Sequence, residues 1–200
     1  MDIEGEILRL GLLRLGRFRL SSGELSPVYV DLRPAASYPD FFRSLVDRLS
    51  ALVSEGGHDA VCGVAVSGIP LATGVALRLQ KPLLYVRERR KDHGTMSALE
   101  GEVGSGVDVA VIDDVSTTGS SILRAVEALR SSGARVRRAY VVVDREQGAR
   151  ERLAGQGVGL EALITLRSVV EKGEELGLVD GATAAEIRRH LAARVGGGGG

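Results

Sequence analysis

The spacing of apolar residues changes repeatedly along this chain. Ile3, Ile7, Leu8, Leu10, Leu12, Leu13 and Leu15 keep a helical spacing and predict an opening helix. Phe18–Leu20 and Val28–Leu32 read as two short strands, with turn residues at Ser21-Ser22-Gly23 and Ser26-Pro27 between them. Helical periodicity returns from Asp40 to about Ser54 and stops near Gly56-Gly57. Strands and helices then alternate. Ala60–Val66, Leu83–Val86, Val107–Ile112, Val136–Val143 and Leu160–Leu166 predict strands. Pro70–Leu79, Ser120–Ser131, Ala149–Leu153 and Ala182–Arg194 predict helices. That alternation means βαβ units, hence an α/β fold with a mostly parallel sheet flanked by helices. Residues 1–195 read as a single domain. About 1–57 would form a small N-terminal hood or flap, and about 58–170 the core sheet. The glycine run 196–200 reads as a flexible tail. Arg87 to about Gly106 has no sustained period and holds the charge-dense run R-E-R-R-K-D-H-G. A loop of that length in a compact domain suits a lid, and its cations suit a polyanion.

The most informative stretch is V-A-V-I-D-D-V-S-T-T-G-S-S-I, Val109 to Ile122. A buried strand ends in Asp113 and Asp114, then a Ser/Thr/Gly loop leads into a helix. Unpaired N–H groups and the helix dipole make such a loop an anion site. Carboxylates beside a phosphate cradle fit a ligand with both a phosphate and hydroxyls or a metal ion, as a ribose 5-phosphate has. A strand that merely ends in acids at the solvent would not explain the S-T-T-G-S run that follows. Neither G-x-x-x-x-G-K-[ST] nor a strand-anchored G-x-G-x-x-G occurs, and Gly155-x-Gly157-x-Gly159 follows a short helix and reads as a loop.

Composition narrows the class. Lys+Arg and Asp+Glu both number 26, so the net charge is zero, which argues against nucleic-acid or membrane-surface binding. No stretch approaches the ~18 apolar residues of a membrane span, and the N-terminus does not read as a signal peptide. The one cysteine, Cys62, lies in an apolar run and reads as a core residue. It allows no disulfide within the chain, which fits a cytoplasmic location.

Asp-Asp followed by T-T-G after a buried strand resembles the PRPP motif of type I phosphoribosyltransferases. Four further segments resemble the orotate-specific branch of that family: F-R-L-S-S-G-E-L-S-P-V-Y-V-D-L-R (Phe18–Arg33), G-V-A-V-S-G-I-P-L-A (Gly63–Ala72), R-E-R-R-K-D-H-G (Arg87–Gly94) and V-V-V-D-R-E-Q-G (Val141–Gly148). The resemblance implies a type I phosphoribosyltransferase fold and transfer of ribosyl 5-phosphate from PRPP to orotate. It implies that Ser116, Thr117, Thr118, Gly119, Ser120 and Ser121 bind the 5-phosphate, and that Asp113 and Asp114 face the ribose hydroxyls. It implies that Ser67 and Gly68 lie in a pyrophosphate loop, and that Arg87, Lys91 and His93 belong to a catalytic lid. Arg145, Thr117, Tyr29 and Val30 would bind orotate. Arg145 offers a planar cation for a carboxylate, its alternative being a surface ion pair with Asp144 or Glu146.

The resemblance also implies Mg²⁺ held mainly by PRPP oxygens, with Asp113 and Asp114 able to join through water. It implies a homodimer whose lid acts across the interface. The chain departs from the family pattern at Glu88, Ser21 and Ser67, where relatives often carry lysine; either Arg89 or Arg90 compensates for Glu88, or that contact is absent. A purine phosphoribosyltransferase would share Asp113–Ser121 without the flap signature or Arg145. A PRPP-sensing regulator would need a nucleic-acid surface that the charge does not suggest. A receiver-like domain would lack the T-T-G-S-S loop.

Overall fold

The computed structural model describes residues 1–19, 25–87 and 98–195. The elements are α1 (Ile3–Arg9), β1 (Leu13–Arg19), β2 (Leu25–Val30), α2 (Pro39–Ser54), β3 (Ala60–Val64), α3 (Gly68–Leu79), β4 (Leu83–Val86), β5 (Leu99–Glu100), β6 (Val109–Ser116), α4 (Ser120–Ser131), β7 (Arg138–Asp144), α5 (Ala149–Ala154), β8 (Gly159–Thr165), α6 (Leu166–Glu175) and α7 (Gly181–Val195). A short 3-10 turn, Arg33–Ser37, joins the hairpin to α2. The main sheet has six strands in the order β5-β4-β3-β6-β7-β8. All its pairings are parallel except β4 with β5. β1 and β2 form a separate antiparallel hairpin.

The central strands are apolar on both faces because helices cover both. Val61, Ala110, Ile112, Tyr140 and Val142 face a layer that includes Leu45 and Leu49 of α2 and Leu71 and Val75 of α3. Cys62, Val64, Val109, Val111 and Val141 face Ile122, Val126 and Leu129 of α4 and Leu153 of α5. From β3 the chain winds outward through α3 to β4. From β6 it winds the other way through α4, β7 and α5. The strand order therefore reverses between β3 and β6, and open α/β sheets bind ligands at the carboxyl ends of the strands flanking such a point.

The opening helix is shorter than its apolar spacing predicts. It ends at Arg9 because Gly11, at φ 65°, lets the chain turn back, with the Leu12 N–H donating to the Ile7 carbonyl at 2.9 Å. Leu13 and Leu15 are therefore strand residues, and β1 begins five positions before the predicted Phe18. A second helix was hidden at the end of β8. Thr165 caps α6 in a box with Ser168, at 3.1 and 3.3 Å, so Leu166 starts a helix rather than ending a strand. The predicted lid is not structureless throughout: β5 within it pairs with Tyr85 and Val86, and the Arg87 N–H donates to the Ala98 carbonyl at 2.9 Å. β6 runs to Ser116, beyond the predicted Ile112, which puts both acids inside the strand.

At the opposite, amino-terminal edge of the sheet, a polar cluster ties three strands together. His58 is buried, with Nδ1 at 2.5 Å from the Asp108 carboxylate and Nε2 at 2.8 Å from the Tyr140 hydroxyl. Arg137 donates to the other Asp108 oxygen, and Asp59 accepts the Asp108 N–H at 2.9 Å. Burial alone would raise the Asp108 carboxyl; the bonds from His58 and Arg137 hold it below its ordinary value. Replacing His58 with Ala leaves the Asp108 carboxylate only Arg137 and takes a partner from the buried Tyr140 hydroxyl, so we expect a loss of about 2–3 kcal/mol and a Tm lowered by about 4–12 °C. Urea and thermal unfolding measure it; a loss below about 1 kcal/mol would show that water replaces the imidazole at little cost.

Candidate active site

The acid pair sits on β6 with its side chains out of bulk water. Asp113 is 5% exposed and Asp114 half-buried. The Asp113 carboxylate accepts the Asp114 N–H at 2.9 Å and the Ser121 hydroxyl at 3.1 Å. Burial, then the neighbouring Asp114 charge, push the Asp113 carboxyl well above its ordinary value. Asp114 is also raised, by burial, although hydrogen bonding with Asp113 and Ser67 pulls it back.

The loop after β3 comes unusually close to β6. The Ala65–Val66 peptide there is cis. Gly68, the first residue of α3, is pressed onto the neighbouring strand. A Cβ on it would lie 2.5 Å from the Ile112 carbonyl and 3.1 Å from the Asp113 Cα. Only glycine permits that approach.

The Thr117–Ser121 loop follows β6 directly. Gly119, at φ 73°, precedes α4 and has no side chain with which to cap it. The first N–H groups of α4 are thus directed at the loop, as an anion site requires. The Thr118 and Ser120 hydroxyls lie 2.9 Å apart. Arg152 from α5 donates to Ser120 at 2.7 Å.

Arg145 lies one strand over, just past β7, and is buried at 4% exposure. Its N–H donates to the Ser116 carbonyl at 3.0 Å, linking it to the start of the Thr117–Ser121 loop. Its guanidinium donates to the Ser26 hydroxyl at 3.1 Å and the Val28 carbonyl at 3.4 Å, both on β2. Asp144 accepts from Ser116 at 3.0 Å and Arg150 at 2.8 Å, and Glu146 pairs with Arg167 at 3.4 Å. These contacts make Arg145 a buried side chain under the hairpin rather than a surface one.

Tyr29 and Val30 occupy opposite faces of β2. Val30 is buried in the core, whereas Tyr29 is half-exposed with its ring 5.6 Å from that of Phe18. Arg87 pairs with Glu100 at 2.9 Å and lines a small cleft with Ala65, Ser121 and Arg124. The structure therefore gathers Asp113, Asp114, Ser67, Gly68, Ser116–Ser121 and Arg87 around the β3/β6 reversal, with Arg145 and Tyr29 at its hairpin side. Lys91 and His93 lie outside the described residues, as do Ser21, Glu88, Arg89 and Arg90.

Three neighbours of this site were not singled out in the sequence. Arg33 grips Asp31 at 2.7 and 2.8 Å and reaches the Tyr29 hydroxyl at 3.4 Å. The D-x-R spacing after β2 was its available signal. Arg152 and Glu100 had no local signal, because their partners come from distant chain segments.

The model of the phosphoribosyl transferase domain matches residues 42–169. A protein of Staphylothermus marinus named orotate phosphoribosyltransferase is 40% identical over 190 residues, spanning 95% of this chain and 93% of its own. The chain belongs to the orotate phosphoribosyltransferase family. Two solved structures agree in fold. The orotate phosphoribosyltransferase crystal structure from Aeropyrum pernix matches with a TM-score of 0.80 and 42% identity, over 89% of this chain and 99% of that one. The Leishmania donovani UMP synthase structure gives a TM-score of 0.87 at 29% identity. It covers 96% of this chain, which spans only 42% of that longer protein. A family member from Mycobacterium tuberculosis, solved in complex with PRPP, matches at a TM-score of 0.67 and 28% identity, over 84% of this chain and 99% of that one.

The raised carboxyls make a prediction about the protein without ligand. A carboxyl whose folded pKa exceeds its unfolded value favours folding only while protonated, and that contribution is lost as pH rises past the ordinary value of 3.8. Asp113→Asn should therefore stabilise the ligand-free protein at pH 7, raising Tm by about 2–4 °C, the effect of about 1 kcal/mol in a domain of this size. The gain should shrink as pH falls toward 4. A Tm that drops at pH 7 would show that Ser121 and the Asp114 N–H support the carboxylate more than burial opposes it.

Proposed function

We propose that this protein is an orotate phosphoribosyltransferase. It transfers ribosyl 5-phosphate from PRPP to N1 of orotate, giving orotidine 5-monophosphate and pyrophosphate in pyrimidine (UMP) biosynthesis. The observation that carries the proposal is the buried Arg145, bonded by its backbone to the mouth of the phosphate loop and by its side chain to the hairpin. A flat, carboxylated base held there lies next to a ribose phosphate seated on Thr117–Ser121. The family and the PRPP complex of the Mycobacterium tuberculosis relative support the same substrate pair.

In this reading the chain's own groups have distinct tasks. The loop N–H groups and the Ser and Thr hydroxyls hold the 5-phosphate. Asp113 and Asp114 accept hydrogen bonds from the ribose hydroxyls. In their ionised state they also favour the positive charge that develops on the sugar as pyrophosphate departs. Arg145 holds the orotate carboxylate through charge-assisted hydrogen bonds, Thr117 lies at the junction of the two subsites, and the Tyr29 ring covers the pyrimidine. Ser67, Gly68 and Arg87 face the leaving pyrophosphate, joined by Lys91 and His93 from the lid, which also excludes water.

Among the described residues no group of three His, Cys, Asp or Glu side chains forms a metal cage. Two adjacent carboxylates suit a Mg²⁺ bound chiefly through substrate oxygens. When bound, that ion supplies countercharge to the pyrophosphate. We further propose that the enzyme is a homodimer with the lid acting across the interface. We also propose that it is cytoplasmic: its one cysteine is a free, buried thiol pushed up to about 12 by burial. No helix among the described residues is long and apolar enough to cross a membrane.

Purified protein with PRPP and Mg²⁺ should consume orotate, followed by its ultraviolet absorbance, and leave adenine and hypoxanthine unchanged. Purine turnover beside inert orotate would overturn the assignment. Arg145→Ala should lower kcat/KM for orotate roughly 10- to 1,000-fold, as charged hydrogen bonds to the carboxylate are lost. Unaltered kinetics would return Arg145 to a purely structural role beneath the hairpin.

A further inference from the structure

We propose that Arg152 is a binding residue for the 5-phosphate, supplying the phosphate loop with a fixed cation from α5. The inference rests on the function proposed above and deepens it. The loop's other ligands are all neutral: backbone N–H groups and the hydroxyls of Thr117, Thr118, Ser120 and Ser121. A phosphate of charge near −2 held by neutral donors alone keeps most of its charge uncompensated, whereas a guanidinium beside it supplies countercharge and directional donors.

Three observations place Arg152 in that position. Its Nη1 donates to the Ser120 hydroxyl at 2.7 Å, and Ser120 lies 2.9 Å from the Thr118 hydroxyl, so the guanidinium is coupled to two loop hydroxyls in series. α5 is packed directly on the loop: a Cβ built on Gly119 would stand 3.4 Å from Leu153 Cγ and 3.5 Å from Ala149 Cα. The buried Ala149 and Leu153 thus anchor the helix that presents Arg152. Finally, among the described residues no carboxylate pairs with Arg152. Its neighbour Arg150, by contrast, is taken up by Asp144 at 2.8 Å and the Leu160 carbonyl at 2.6 Å. An exposed arginine without a counter-ion, its donor resting on the N-terminal serine of α4, has its charge available to an anion on that loop.

The test compares wild type with Arg152→Ala, Arg152→Gln and Arg152→Lys. Equilibrium binding is measured with ribose 5-phosphate, PRPP and inorganic pyrophosphate as separate probes. Arg152→Ala should weaken ribose 5-phosphate and PRPP roughly 5- to 20-fold, the range for a partly exposed charged hydrogen bond, and leave pyrophosphate within about twofold. Arg152→Gln should resemble Arg152→Ala, because it keeps a donor and loses the charge. Arg152→Lys should recover most of the affinity. The wild-type advantage should also narrow as salt is raised, since an exposed charge is screened.

In turnover the loss should fall on KM for PRPP much more than on kcat, because the 5-phosphate is remote from the reacting carbon. Ribose 5-phosphate affinity within twofold of wild type in Arg152→Ala would overturn the proposal. So would an equal loss for pyrophosphate, or full retention in Arg152→Gln. Wild-type turnover of orotate is scored separately. Its absence would remove the function proposed above, while the ribose 5-phosphate comparison would still decide the role of Arg152.

Discussion

Two adjacent carboxylates held away from water on the middle strand of a sheet are the constraint around which this molecule is arranged. An ionised acid out of water is costly, and a second one beside it adds repulsion. Asp113 and Asp114 persist because their surroundings are rigid and supply donors. β6 is paired to β3 as far as Ile112 and to β7 on through Ser116, so its backbone cannot retreat. Ser121 and the Asp114 N–H serve Asp113. A polar ligand that donates hydrogen bonds would relieve the cost that remains. Stability is held back at this point, as is common where a protein keeps polar groups for binding.

The two edges of the sheet do opposite work. At the amino-terminal edge, His58, Asp108, Tyr140 and Arg137 satisfy one another and lock β3, β6 and β7 together. At the carboxyl edge the same strands release polar groups into loops. That release is useful only because the strand order reverses between β3 and β6, which sends α3 and α4 to opposite faces and leaves space above the strand ends. Gly68 lets the β3 loop close on that space from one side, and α5 lets Arg152 close on it from the other.

The hairpin belongs to the site as well as to the fold. Arg145 reaches it through Ser26 and Val28, and the Ser116 carbonyl ties Arg145 to the phosphate loop. The end of β7 is held in turn by Asp144, shared between Ser116 and Arg150. The hairpin, Arg145 and the Thr117–Ser121 loop thus share one hydrogen-bonded frame, which limits the ordering that binding of any ligand there must impose.

Much of this was legible in the chain itself, where the signal is local. Buried strands read as apolar runs, β4 and α4 lie where the periodicity puts them, and the D-D-V-S-T-T-G-S-S stretch does form a strand-borne acid pair followed by a loop and a helix start. Local signals misled where a short cap competed with a longer apolar pattern. Gly11 ended α1 early, and the Thr165–Ser168 box opened a helix inside an apparent strand. Residue types and their order determined the α/β class, the strand–loop–helix turn at Asp113–Ser121 and the list of candidate site groups. Tertiary structure alone decided that Gly68 touches β6, that Val30 turns inward while Tyr29 turns outward, that Arg145 passes under the hairpin and that Arg152 stands on Ser120. Those contacts join residues as far as 119 positions apart. They depend on strand order and helix packing, which no local spacing encodes.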